Sequence, residues 1–310
     1  MQKNLALTIF ECHAGNLFHT TASVIKSFVD IYILSTSGNN TVTFGGHWPA
    51  TNESSLIFYL GDLPVHHHVD SPESVLSDKS NCLVGLLTRS NGAVHFSGRL
   101  HTFIIQFKAN GITKIFRLAM NELTDRIFTT EDVFGNSIAD LRDQLREVVD
   151  MEQMACLADR FLVNFLNRQK KTDTLYDGIT AVSAELYNTT NFATIEQYAY
   201  KANMSVRNFE RKFVEQVGIS TKLYTKLVRF NVVMKIKVME PEKNWTSIAH
   251  ECGYFDQMHL IKDFKQFTDV TPTDYFRKSD LIKPYIDTSQ PDNVDSKLRE
   301  RFVFLKRASF

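Results

Sequence analysis

Two stretches, NFATIEQYAYKANMSVRNFERKFVEQVGIS from Asn191 and NWTSIAHECGYFDQMHLIKDFKQF from Asn244, follow one plan. In each, a polar cap opens a short amphipathic segment, a break follows, and a second cap opens another. In the first, Thr194 is the expected N-cap, with Ile195, Tyr198 and Ala199 facing inward. Ala202, Asn203 and Met204 break it, Ser205 caps the next segment, Phe209 and Phe213 share its inner face, and Gly218 stops it. In the second, Thr246 is the expected cap, Ile248 and Ala249 face inward, and Cys252-Gly253 makes the break. Asp256 then caps a segment with Leu260, Phe264 and Phe267 inside. Gly253 takes the left-handed conformation that ends a helix without steric cost. A residue as small as Ala199 lets two helices cross closely at a steep angle, so each stretch predicts a helix-turn-helix.

The outer faces carry a different message. Val206, Arg207, Asn208, Glu210, Arg211 and Lys212 point away from the first core, and Gln257, Met258, His259, Ile261 and Lys262 from the second. Most are long and rich in hydrogen-bond donors, as a helix lying in the major groove of DNA requires. Between the stretches, TKLYTKLVRFNVVMKIKVME places Leu223, Leu227, Phe230, Val233 and Met234 on one helical face. A rod of that kind fixes the spacing of the two units. Entry into successive major grooves asks for a separation near one DNA turn, roughly 34 Å.

Residues 191 to 278 resemble the AraC/XylS-type DNA-binding domain. SVRNFERKF is similar to its first recognition helix, LVRFNVVMKIKVM to its linker helix and IAHECGYFDQMHLIKDFKQFTDVTP to its second unit. The resemblance implies sequence-specific transcription regulation, usually with an N-terminal sensor or dimerisation domain. Carried over by position, Arg207, Asn208, Glu210 and Arg211 fall among the DNA-contacting residues of the first unit, and Gln257, Met258, His259, Lys262 and Lys265 among those of the second. Glu210 would accept from a cytosine amino group or position Arg211, and Met258 would touch a thymine methyl. The chain departs from the family pattern at Asp269, where glycine is commonest, and at Thr221, where proline is common.

The first 120 or so residues read differently. SLIFYLGDLP and CLVGLLTRSNGAVHFSGRLHTFIIQFKANG combine β-branched and aromatic runs with turn dipeptides, of which Asn91-Gly92 and Asn110-Gly111 are the clearest. Many short strands suggest a barrel or sandwich, and LIFYLGD, GLLTR and the segment from Phe103 resemble a cupin-like domain. From about Ile112 the character turns helical. Ile138, Leu141, Leu145 and Val148, then Leu157, Phe161 and Phe165, recur at helical spacing, with Ser137 and Asp150 as expected caps.

The expected organisation is α+β in two domains. A β-rich cupin-like sensor or dimerisation domain with a helical end spans 1–168, a connector 169–190, the DNA-binding domain 191–285 and a polar tail 286–310.

Net charge is zero over 310 residues, so the whole chain gives no sign of nucleic acid. Locally, residues 191–285 hold about 15 Lys and Arg against about 11 Asp and Glu, a balance that suits an anion. Four scattered cysteines and the absence of an apolar run long enough for a span fit a soluble cytoplasmic protein. No nucleotide loop, dinucleotide fingerprint or hydrolase signature is present, so neither an enzyme nor a cofactor is expected. Expected partners are double-stranded DNA, with room for a small-molecule effector, RNA polymerase and a second copy of the chain.

One competing reading starts from the histidines, eight of ten of which precede residue 102. His66, His68, Glu73 and His95 form a candidate metal set, which would make the chain a metal-dependent cupin enzyme or metal sensor fused to a DNA-binding module. The alternative is a solvated, histidine-rich turn.

Overall fold

The computed structural model describes residues 8–13, 22–67, 81–135, 137–168, 177–187, 189 and 191–278. Strands β1 (Thr8–His13), β2 (Val29–Thr36), β3 (Val42–His47), β4 (Ser54–Tyr59), β5 (Val65–His67), β6 (Asn81–Val84), β7 (Ala93–Gly98), β8 (His101–Phe107) and β9 (Ile127–Thr129) form two antiparallel sheets. The larger runs β1-β2-β8-β4-β6-β9 and the smaller β3-β7-β5.

Strand β8 is the spine of the larger sheet. Its Phe103 lies between Leu34 of β2 and Phe58 of β4, and its Ile105 between Tyr32 and Leu56. These alternate residues share one buried face, while Ile57, Cys82 and Val84 pack on the other with Trp48 and Ile104. The fold class expected from the sequence is thus the one observed: a β-rich N-terminal part and a helical C-terminal part.

Several local expectations are corrected. Asn110-Gly111 does form a turn, with Gly111 N donating to the Lys108 carbonyl at 2.8 Å, but that turn leads from β8 into α2 (Gly111–Phe116) and not into a paired strand. Glycine is needed there because a Cβ would lie 2.1 Å from the Phe28 carbonyl oxygen. Asn91-Gly92 likewise joins no adjacent strand pair, and instead exchanges backbone bonds with Trp48 at 2.8 and 2.9 Å. Strand β9 interrupts the stretch expected to be helical after Ile112, since residues 127–129 complete the sheet edge beside β6.

Besides α2, the N-terminal part holds α1 (Ala22–Ile25), α3 (Met120–Leu123), α4 (Thr130–Phe134), α5 (Ser137–Arg146) and α6 (Met151–Arg168). Asp150 caps α6 as expected, accepting from Gln153 N at 3.0 Å. Ser137 lies inside the first turn of α5 and donates to the Phe134 carbonyl instead of capping. In α6 the buried stripe is Met154, Ala155, Ala158 and Leu162. Leu157, Phe161 and Phe165 flank it, with the Phe165 ring against Phe116 and Phe134.

The remaining helices are α7 (Gly178–Tyr187), inside the 169–190 stretch, then α8 (Ile195–Lys201), α9 (Val206–Val217), α10 (Thr221–Met239), α11 (Trp245–Glu251), α12 (Gln257–Thr268) and α13 (Pro272–Lys278). Among the described residues no helix is long and apolar enough to cross a membrane.

The two parts are packed into one continuous hydrophobic core that runs from Ile25 to Tyr275. Polar contacts reinforce the seam. Lys114 of α2 pairs with Asp177 at 2.8 Å, and Gln216 of α9 donates to the same Asp177 oxygen at 2.8 Å. Thr113 donates to the Gln216 carbonyl at 3.1 Å and Thr124 to that of Gly218 at 3.2 Å. Ala50 N donates to the Phe267 carbonyl at the end of α12, at 2.9 Å. Both α9 and α12 are therefore held against the β-rich part by their C-terminal ends.

Candidate nucleic-acid interface

The first unit begins with a full capping box: the Thr194 side chain accepts from Gln197 N while Thr194 N donates to Gln197 Oε1 at 2.9 Å. Tyr198 and Ala199 are buried. Helix α8 closes with Met204 N donating to the Ala199 carbonyl at 3.0 Å and Asn203 in the left-handed region at φ 54°. Ser205 then caps α9 by accepting from Asn208 N, and Phe209, Phe213 and Val217 turn inward. This is the geometry expected from the spacing.

The second unit repeats it with one substitution of roles. Asn244, not Thr246, caps α11, accepting from Ser247 N at 2.8 Å. Asn caps a helix as well as a hydroxyl residue does, and starting two residues earlier brings Trp245 into the helix, where it packs on Phe264 and Phe276. Thr246 instead donates across to Gln257 Oε1 at 2.9 Å, so the second helix has its first outward amide oriented by the first helix. Gly253 ends α11 at φ 70°, and Tyr254 N donates to the Ala249 carbonyl at 2.9 Å. Asp256 caps α12 at His259 N and also holds the His259 ring Nδ1, each at 2.8 Å. Those bonds, the backbone one first, hold the Asp256 carboxyl below its usual range.

Helix α10, 19 residues and about 28 Å long, joins the units. Its buried face is Tyr224, Leu227, Val228, Phe230 and Val233, with Leu223 and Met234 at the margin. Lys226 pairs with Asp263 of α12 at 2.7 Å. The Arg229 guanidinium lies 5.3 Å from the Phe192 ring and 5.2 Å from that of Tyr254, bridging the approach to the first unit and the turn of the second. Thr221 stands at the first position of α10, where proline suits the backbone, and its Oγ1 is buried with no hydrogen-bond partner.

With both cores formed, the outward residues fall where the sequence placed them. Arg207, Glu210 and Arg211 are exposed on α9, with Asn208 and Lys212 half-buried beside them. Met258, His259, Lys262 and Lys265 are exposed on α12, with Gln257 and Ile261 half-buried. One role changes: Arg211 is oriented by Asn208 Oδ1 at 3.0 Å and by Glu215 at 3.5 Å, one turn further on, rather than by Glu210. Glu215 was missed by sequence reasoning, although its spacing of four from Arg211 is the helical ion-pair signal.

Asp269 ends α12 at φ 63°, a left-handed conformation that strains a side chain. Asp269→Gly is expected to raise stability by about 0.5–1 kcal/mol, read as a higher denaturant midpoint with unchanged slope.

His66 and His95, the two described members of the candidate metal set, are not brought together. His66 and His95 lie on opposite faces of the smaller sheet: His66 is 2% exposed, bonded through Nε2 to the Asn91 carbonyl and set against Trp48, whereas His95 is exposed beside His67. The inversion follows from strand pleating, because Val65, not His66, is the partner of His95 in register. His68 and Glu73 lie outside the described residues, as does the 286–310 tail. Among the described residues no group of three or more His, Cys, Asp or Glu is placed to hold a metal ion.

Residues 198–278 match the family model of a helix-turn-helix domain. An uncharacterized HTH-type transcriptional regulator of Haemophilus influenzae is 34% identical over 100 residues, which is 32% of this chain and 33% of that protein. The match therefore spans about a third of the relative's length. Among solved structures, ToxT from Vibrio cholerae aligns with a TM-score of 0.43 and 11% identity over 77% of this chain and 96% of its own. The xylose-binding transcription activator XylR aligns with a TM-score of 0.29 and 17% identity, over 41% of this chain and 39% of its own. The two capped units and their linker helix thus coincide with the part of the chain, residues 198–278, that is similar to the helix-turn-helix domain family.

Proposed function

We propose that this protein is a sequence-specific DNA-binding transcription regulator whose helices α9 and α12 read two adjacent major-groove sites. The observation that carries this reading is the pair of capped units on one linker helix, each turning its donor-rich face to solvent. Arg211, held in place by Asn208 and Glu215, is ready for a bidentate contact with guanine, and Gln257, oriented by Thr246, for one with adenine. Lys262 and Lys265 supply phosphate contacts. The N-terminal part is the place for a small-molecule effector or a partner to act, since α2, α3 and Ala50 touch the ends of both reading helices.

The test is selection of bound fragments from genomic DNA by the full-length protein at near-physiological salt. A motif with halves about 10 base pairs apart is expected. Arg211→Ala/Lys262→Ala should bind that motif about 100-fold more weakly, with a shallower salt dependence by about one ion for the lysine. Failure of the full-length protein to select any sequence would count decisively against the reading.

A further inference from the structure

The two units differ by a single residue. Their first helices correspond at an offset of 50, since Ala199 and Ala249 each accept from the N–H five residues on, of Met204 and Tyr254. Their second helices correspond at 51: Phe209 with Leu260, Phe213 with Phe264, and the left-handed Gly218 with Asp269. The second turn is therefore longer by one position, and the residue shown there is Phe255, 85% exposed.

An aromatic ring left in water forgoes the favourable transfer that burial gives. The turn already supplies an aromatic to the core, because Tyr254 is buried under Arg229. Phe255 points the other way, and its ring rests edge-on against His259 at 5.9 Å. That imidazole is itself pinned by Asp256, so the ring has a fixed prop. Met258 beside it is 69% exposed, and Lys262 and Lys265 follow on the same helix. An apolar ring at the N-terminal tip of a helix whose other outward groups are cations and donors suits a polyanion with one apolar feature. In the major groove that feature is the 5-methyl of thymine, and the N-terminal residues of a recognition helix are the ones that meet base edges.

We propose that Phe255 is a specificity-determining residue that packs on thymine 5-methyl groups in the half-site read by α12. This rests on the DNA-reading function above. The test uses the full-length protein and a selected fragment, with thymines of that half-site replaced one at a time by deoxyuridine, which lacks only the methyl. The wild type should lose about fourfold in affinity at one or two of these positions. Phe255→Ala should bind the thymine fragment about tenfold more weakly and be indifferent to the same replacements, whereas Phe255→Leu should keep the discrimination. A wild type indifferent to every methyl overturns the proposal. So do independent, multiplying effects of the protein and DNA changes, and so does a Phe255→Ala protein that binds like wild type, which would assign the ring to a protein partner. These outcomes sink this proposal alone, because a sequence is still selected. If no sequence is selected, the DNA reading falls first and takes this one with it.

Discussion

Phe264→Ala is expected to destabilise the protein by about 3–5 kcal/mol, the range for removing a fully buried phenylalanine. Its ring is the hub of the second unit, 5.3 Å from Phe230, 5.6 Å from Tyr275, 6.0 Å from Trp245 and 6.2 Å from Phe276. These neighbours come from α10, α13 and α11, so the void opens where three helices meet α12 and no single one of them can close it. Chemical unfolding followed by tryptophan fluorescence would measure the loss directly, with Trp245 as an internal reporter. A loss under about 1 kcal/mol would mean that the rings are not packed as described.

Lys114→Ala should cost about 3 kcal/mol, near the lower end for breaking a buried pair by deleting one partner. The two side chains are 10% and 17% exposed, and Asp177 keeps its bonds from Gln216 and from Thr180 N when the lysine is gone. The sign with pH distinguishes this from simple loss of packing. Burial of Asp177 raises its pKa, but the bonds from Lys114, Gln216 and Thr180, with the Lys114 charge, more than reverse that and leave it below its ordinary value. In the wild type the contribution of Asp177 is therefore fully present above the unfolded pKa of about 3.9. It disappears only as pH falls through the lower folded value. Without Lys114, burial is opposed more weakly, and a proton becomes easier to accept. The stability gap between wild type and Lys114→Ala should accordingly shrink between about pH 5 and about pH 3, where Asp177 takes up its proton. A gap constant over that interval would show that the lysine contributes bulk and no charge.

The helix-turn-helix units were legible because their information is local. Caps, breaks and inward residues lie within a few positions of each other, and Thr194, Ser205, Asp256, Phe209 and Phe264 all act as their spacing implies. The error at Thr246 is instructive, since Asn244 and Thr246 are both capable caps and only the packing of Trp245 decides between them. In the β-rich part the strands were visible, but their order was not. Pairing of β2 with β8 joins Tyr32 to Ile105, and no local pattern announces a partner so distant in sequence. Strand β9 escaped for the same reason: three residues at a sheet edge carry too little periodicity to be seen without their neighbour β6. His66 and His95 part on a shift of one position, because a one-residue change of register sends every side chain to the other face.

The unbroken core from Ile25 to Tyr275 has a thermodynamic meaning beyond holding shape. Units that share a core do not melt separately, so heat should meet one cooperative body instead of a sensor and a reader in turn. In such a body the free energy of any binding event belongs to the whole. A molecule that docks on the sheet at a hundred times its dissociation constant raises the stability of α12 by the same 2.7 kcal/mol or so that it adds to β8. Occupancy at one end of the chain is thereby readable at the other as resistance to unfolding, without any part having to move.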